Sequence, residues 1–444
     1  MPRHALPYLL LLLLAASGCT ERGGSTSGSA SGSASRSTAA AGSAASGSTI
    51  KRITGYTRIR QTKDMTAPEY LQRQIKFYSE RLAKAPKQHI YYAPLAGLYQ
   101  ALSHHNAELW PHQKAIELCE AAVRHGARAG SVALIKARSL LALHRLPAAR
   151  EALKVAEAAK KRPSSLLPLH AEIALQVGKY AEARALLEKL AKLRRGKAAA
   201  ASLLAVLDDT LGAHDKAAAG FSEALRVIER NPSGRAWIRV MRGISLMHRG
   251  RFAEAKADFK EAVALSPYSV LAAEHLGEIE MRLGHLDRAI AIYQGVLGRS
   301  KNPEYQAAIA EVYRKKGDAK AAARHEAIAA KGFAAWLARF PEAAYGHAVH
   351  FYLGVGNDPK RAVTLAAANA KLRPSSAALV MLAEAQLAAG DKAGAKAAID
   401  KALAMPAKNA ELFWVASKVY GPSSKRGTTL RAQALAINPK QASM

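Results

Sequence analysis

Beyond residue 89 the chain repeats one arrangement of small, apolar and polar positions. A small residue is followed seven positions later by a turn glycine, then two further on by an aromatic or apolar residue, then three further on by alanine, often with a closing proline. The fullest copies are Gly243, Gly250, Phe252, Ala255, Phe259, Ala262 and Pro267, then Gly277, Gly284, Leu286, Ala289, Tyr293 and Val296. Others read Ala171, Gly178, Tyr180, Ala183; Ala205, Gly212, Ala217, Phe221, Ala224; and Ala383, Gly390, Ala395, Ile399, Ala402. Starts fall near 130, 164, 198, 236, 270, 303, 343, 376 and 408, a mean period of 34.75 residues over eight steps. Two helices of about 13 residues, a glycine turn between them and a short linker account for such a period. Small residues let the helices approach closely, glycine ends a helix, and proline blocks its continuation. Upstream, Thr66-Ala67-Pro68-Glu69 reads as a capping box opening a helix through Tyr70, Leu71, Gln74, Phe77, Tyr78, Arg81 and Leu82 that stops before Pro86.

Composition supports the helical reading. Half of the 444 residues are hydrophobic, which supplies a core, while aromatics are only 6% and alanine runs such as Ala198–Ala201 and Ala366–Ala368 recur. An all-β fold is excluded on these grounds. On its residue types, offsets and copy number, the segment from about 90 to 440 resembles the tetratricopeptide repeat (TPR) family. That resemblance implies an all-α, right-handed α-solenoid of about nine to ten TPR-like helix pairs. Departures fall at residues 104–111, which interrupt the first copy, between Gly317 and Ala343, where the second helix runs long, and at Gly421-Pro422-Ser423-Ser424, where the last copy reads as a degraded cap.

The N-terminus has a different character. Arg3, six leucines at Leu9–Leu14 and the small residues Ala15-Ala16-Ser17-Gly18 before Cys19 make a signal peptide, too short for a spanning helix of about 20 residues. Ala16-Ser17-Gly18-Cys19 resembles a bacterial lipobox, with Ala16 where leucine is usual. The resemblance implies cleavage before Cys19, lipidation of its thiol and amine with palmitate-type chains, and anchoring in a bilayer. The competing reading is an ordinary secretory cut near Ser17 that leaves Cys19 free. Thr20 after the cysteine, in place of Asp, resembles cargo sent to the outer membrane in bacteria with two membranes. Residues 23–49 are Gly, Ser, Ala or Thr throughout except Arg36, a flexible coil spanning roughly 30 Å. The expected organisation is therefore a signal peptide (1–18), a lipidated Cys19 and linker (19–49), an N-terminal capping segment with one helix (50–89), and the solenoid with its C-terminal cap (90–444).

Candidate chemistry is sparse. Only Cys19 and Cys119 are present, which excludes a disulfide framework and a multi-cysteine zinc site. Cys119, within Ala115–Ala122, reads as a small buried hydrophobe. No HExxH, GxSxG or Walker loop occurs, and Gly354-Val355-Gly356-Asn357-Asp358-Pro359 is read as an inter-helix turn. His347 and His350, one helical turn apart, and the group His104, His105 and His112 are weak metal-site candidates without a readable further ligand; the second group has a loop-tip composition. Trp237, Trp336 and Trp414 are assigned to core between repeats. A non-catalytic protein without cofactor or resident metal is expected.

The chain carries a formal charge of +31 from 65 Lys and Arg against 34 Asp and Glu. In the TPR family, first-helix residues line a concave groove that commonly binds peptides. Applied to this sequence, the register gives acidic Glu172, Asp209, Glu274, Glu278, Glu304, Glu311 and Glu384 against basic Arg138, Arg282, Arg314 and Lys315. The apolar groove candidates are Leu134, Leu141, Val240, Ile244, Met247, Phe351 and Leu387. The positive excess then falls on second helices and linkers, as at Lys160-Lys161-Arg162, Lys192, Arg194-Arg195, Lys197, Lys256 and Lys260. The expected function is a scaffold on the bacterial envelope that takes segments of partner envelope proteins in its groove. The alternative is a basic surface protein that binds anionic lipid, cell-wall polymer or nucleic acid through its convex face, with intracellular nucleic acid disfavoured by export.

Overall fold

A computed structural model describes residues 68–229 and 231–443, in which the regular structure is helical. The lipobox, the tether and Thr66 lie outside the described residues. Helix α1 (Pro68–Lys84) ends two residues short of Pro86 and packs on the first of ten successive helix pairs. The pairs are α2 (Tyr92–Asn106) with α3 (Trp110–Arg124), α4 (Ala129–Ala142) with α5 (Leu146–Ala158), and α6 (Pro163–Gln176) with α7 (Tyr180–Ala191). Next come α8 (Lys197–Thr210) with α9 (His214–Val227), α10 (Pro232–His248) with α11 (Phe252–Leu265), and α12 (Val270–Arg282) with α13 (Leu286–Leu297). The last four are α14 (Pro303–Lys316) with α15 (Ala319–Arg339), α16 (Pro341–Leu353) with α17 (Pro359–Leu372), α18 (Ser376–Ala388) with α19 (Lys392–Ala404), and α20 (Ala410–Tyr420) with α21 (Lys425–Ile437). No described helix is long and apolar enough to cross a membrane.

Each helix packs most heavily on its pair partner, and the second helix of a pair packs next on the first helix of the following pair, the contact pattern of a solenoid. Within a pair the repeated small residues permit close approach: a Cβ on Gly243 would fall 2.5 Å from the Phe259 ring, and one on Gly277 3.0 Å from the Tyr293 ring. The long second helix expected after Gly317 is α15, of 21 residues. The other two departures are regular structure. Residues 107–109 form the turn between α2 and α3, with Ala107 in the left-handed region (φ 50°). Gly421–Ser424 is likewise the turn between α20 and α21, and the last copy is a complete pair.

The solenoid coils back on itself. Turns inside the first five pairs meet the linkers that follow pairs six to ten, so one coil takes between five and six pairs. The Lys301 amide donates to Glu108 Oε1 (2.9 Å) and Asn302 Nδ2 to the Ala107 carbonyl (3.3 Å). Arg373 reaches His144 (2.8 Å), the Ser376 amide donates to Tyr180 Oη (3.2 Å), and the Lys408 amide donates to the Thr210 carbonyl (3.1 Å). Apolar core crosses the same seam, where Phe340 and Ala343 pack with Leu109, Leu140 and Leu153. The turn glycines follow this division. A Cβ on Gly178 (φ +74°) would lie 2.9 Å from the Pro374 carbonyl, whereas one on Gly390 (φ +84°) would meet nothing within 4 Å.

Candidate functional site

Coiling decides what the first helices present. Of the eighteen groove candidates, Leu141, Glu172, Val240, Ile244, Met247, Glu278 and Phe351 are buried, Arg314 and Lys315 are exposed, and Leu134, Arg138, Asp209, Glu274, Arg282, Glu304, Glu311 and Glu384 are half-buried. Leu387 is also half-buried. The expectation of an open groove lined by all of them is corrected accordingly: the seven buried residues are occupied by the protein's own packing.

What lies inside is a chain of ionic and amide groups. Glu278 accepts from Arg282 Nη2 (2.7 Å), and its other oxygen lies 3.3 Å from His275 Nδ1. Burial alone would raise the Glu278 pKa and lower that of His275. The nearby charges reverse both: Arg282 and His275 hold the Glu278 carboxyl well below its usual range, while Glu274 and Glu278 raise the His275 pKa. Glu304 Oε1 lies 2.8 Å from His347 Nδ1. Asp209 accepts from Ser245 Oγ (2.7 Å) and pairs with His214 (3.0 Å). Against the burial that would raise it, these hydrogen bonds lower the Asp209 pKa. Glu172 is the exception: burial pushes its pKa from 4.5 to about 8, because a 3.3 Å bond from Gln176 and the charge of Arg138 only partly compensate.

Glu274, His275 and Glu278 bring three metal-ligating atoms within 4.8 Å of one another, the one such group among the described residues. Its charge is already partly balanced from within by Arg282, and His275 is stacked on Phe259 (5.4 Å). The two histidine groups singled out in the sequence do not form such a centre. His104 and His105 sit in the last turn of α2 and His112 in the first turn of α3, so this is packed helix rather than a loop tip. Burial lowers the pKa of His104 to about 4 and of His112 to about 3, and His112 Nε2 bonds Ser103 Oγ (2.6 Å).

Of the tryptophans, Trp237 is core. Trp336 is half-buried against Phe333 and His347, and Trp414 is half-buried beneath Lys418 and Arg431. Cys119 is buried, its thiol pushed up to about 12 by desolvation. Gly354–Asp358 is the turn between α16 and α17, with Asp358 capping the latter through the Arg361 amide. Sequence reasoning missed the seam between coils and the buried pair Arg373–His144 within it. The available signal was the recurrence of glycine at one turn position, with His144 taking that left-handed place (φ 54°) in the second pair.

The outer surface is basic. Lys160, Arg162, Lys192, Arg194, Arg195, Lys197 and Lys260 are exposed, and Lys161 is half-buried. Lys256 differs: it is half-buried and pairs with Glu280 (2.8 Å). Ions also join the two helices within a pair, above all at buried Asp258 of α11, which accepts from Arg239 (2.7 Å) and Arg242 (2.6 Å) of α10.

The sequence pattern of the tetratricopeptide repeat matches residues 169–235 and again residues 246–312. The chain is a tetratricopeptide repeat protein. Repeats of this family support a role in protein–protein interaction, and they are generally non-catalytic. No curated protein sequence matches the chain. Among solved structures, the TPR protein is similar to the APC/C hetero-tetramer Cut9–Hcn1, at 13% identity over 85% of this chain and 92% of that one, with a TM-score of 0.37. It is also similar to PilF of Pseudomonas aeruginosa, at 17% identity over 61% of this chain and 97% of that one (TM-score 0.35), and to yeast Tom70, at 14% identity over 86% and 97% (TM-score 0.33). At these scores the likenesses carry no argument about function.

Proposed function

We propose that this TPR protein is a scaffold anchored in a bacterial envelope through lipidated Cys19, holding its solenoid clear of the bilayer on the tether of residues 23–49 and binding segments of partner envelope proteins. The observation that carries the reading is the conjunction of a signal core ending in Cys19, a Gly/Ser/Ala tether, and ten helix pairs with TPR spacing. In the closed coil, the partner contacts fall to the half-buried candidates Leu134, Arg138, Glu274, Glu311 and Glu384. Their carboxylates give a preference for basic segments. The placement is the outer membrane where the organism has two membranes.

Two experiments test the parts separately. Cys19→Ala should move the protein from the membrane to the soluble envelope fraction; unchanged membrane retention would refute the anchor. Crosslinking in intact cells from Glu311 and Glu384 should trap a discrete partner, and Glu311→Lys with Glu384→Lys should abolish it. Crosslinks indifferent to charge reversal would refute binding at that face.

The exposed cations from Lys160 to Lys197 favour a second reading, in which the outer face binds anionic lipid or cell-wall polymer. Association with anionic vesicles should then weaken steeply between low and physiological salt; a flat response would eliminate it.

A further inference from the structure

Where the coils meet, helices α6, α7 and α8 of the first coil face α17, α18 and α20 of the second around a cavity of about 90 Å³. That volume exceeds the need of a single water several-fold. Leu175, Val206 and Met381 supply apolar wall, and Arg373, Ser376 and Gln176 line the same space.

Arg373 is the unusual member. It is only 6% exposed, and no carboxylate bonds it among the described residues. Its Nε and Nη2 donate to Asn369 Oδ1, and its Nη1 donates to His144 Nε2 (2.8 Å). Gln176 Oε1 lies 2.8 Å from His144 Nδ1. That bond places the imidazole proton on Nδ1 and leaves Nε2 as the acceptor for Arg373. The histidine is neutral: burial first, then the charge of Arg373, lowers its pKa well below the ordinary value. Of the five guanidinium N–H groups, three are therefore used and two remain. A buried guanidinium held by an amide oxygen and a neutral ring has its hydrogen bonds partly met and its charge unmet. The second observation is Ser376, 1% exposed, whose buried Oγ has no hydrogen-bond partner among the described residues. Ser376 opens α18, so its hydroxyl sits at the positive end of that helix.

We propose that this seam cavity binds a small organic carboxylate, with Arg373 and Ser376 Oγ donating to its oxygens and Leu175, Val206 and Met381 enclosing a short apolar chain. An inorganic anion fits less well, since most of the wall would meet nothing polar. Glu411 also lines the cavity and is half-buried. The site draws residues from both coils, so it exists only when they are stacked. It is independent of the anchoring and partner proposals above.

The test uses the full chain with butyrate, its neutral isostere butyramide, and chloride, followed by calorimetry and by ligand-observed saturation transfer. Butyrate should bind with a dissociation constant of ~1 mM, and butyramide and chloride at least ~10-fold more weakly. Ser376→Ala should weaken butyrate ~10-fold while leaving the helical circular dichroism unchanged. Arg373→Met, which removes an unmet buried charge, should fold and lose butyrate. Absence of butyrate binding, equal binding of butyramide, stronger binding of chloride, or undiminished binding by folded Ser376→Ala would each overturn the proposal.

Discussion

Glu172 offers the sharpest perturbation. Its carboxyl is 1% exposed, and desolvation raises its pKa from the ordinary 4.5 to about 8, against the opposing pull of Gln176 and Arg138. Between those two values the folded chain holds a proton on Glu172 that the unfolded chain has released. Unfolding is therefore increasingly favoured as pH rises through this window, and the penalty levels off only above about pH 8. Each pH unit costs about 1.4 kcal/mol, so at pH 7 the native state gives up about 3 kcal/mol at this one group. Glu172→Gln has no proton to hold and can still accept the Gln176 amide on its own oxygen. It should match the parent near pH 4.5 and exceed it by about 3 kcal/mol at pH 7. Repeat arrays open in parts, so the suitable assay is native-state hydrogen exchange of the peptide carrying α6, at pH steps from 5 to 8 with intrinsic exchange rates normalised. Protection of that peptide should diverge between variant and parent as pH rises. A constant offset, or a variant less protected at pH 7, would show that Glu172 is ionised and paired with Arg138 in the native protein.

Three further outcomes follow from the packing. Asp258→Ala strips Arg242 of its carboxylate and leaves Arg239 with only the bond to Glu261, and should cost about 3 kcal/mol in urea unfolding. Gly178→Ala forces a left-handed backbone on alanine and drives its Cβ against the Pro374 carbonyl, whereas Gly390→Ala meets only the backbone penalty. The second should cost about 1 kcal/mol, and the first more, with an increase in radius of gyration by small-angle scattering that Gly390→Ala does not produce. Cys119, buried with its thiol raised to about 12, should react with maleimide at pH 8 only at the rate of unfolding; rapid labelling of folded protein would contradict its burial.

The helix pairs were legible because their determinants are local. Gly250 and Phe252 are two residues apart, and each repeat carries its own turn signal, so a period near 35 could be read without knowing what the pair packs against. Even the misread segments were legible in kind: glycine and proline at 421–422 do end a helix, but as the turn inside a pair. The seam was not legible. Nothing at Gly178 or Gly390 distinguishes the glycine that must admit a neighbouring carbonyl from the one that faces open space, since the neighbour comes from about 195 residues away. A still longer separation, 229 residues, hid the pairing of His144 with Arg373, two residues that in sequence are ordinary turn and linker positions.

The seam also explains why the charge argument succeeded outside and needed revision inside. A residue's repeat position fixes the face of the helix it occupies, and second-helix and linker cations such as Lys192, Arg194 and Lys260 do reach solvent. The first-helix face was expected to meet water or a ligand. Coiling in fewer than six pairs makes that face meet the rest of the chain instead; in that buried setting Glu278 has Arg282 and His275 of its own helix as partners, while Glu172 is left to hold a proton. Acidic residues at equivalent repeat positions thus end in opposite ionisation states, and what separates them is the presence or absence of a hydrogen-bonded cation at each level of the coil. Ligand access to the interior is coupled to coil tightness by the same geometry. Any partner that inserted deeply would have to open the contacts at Gly178, Thr210 and Glu108, so a perturbation that loosens the seam, such as Gly178→Ala, should expose the interior carboxylates and raise affinity for basic segments even as it lowers stability.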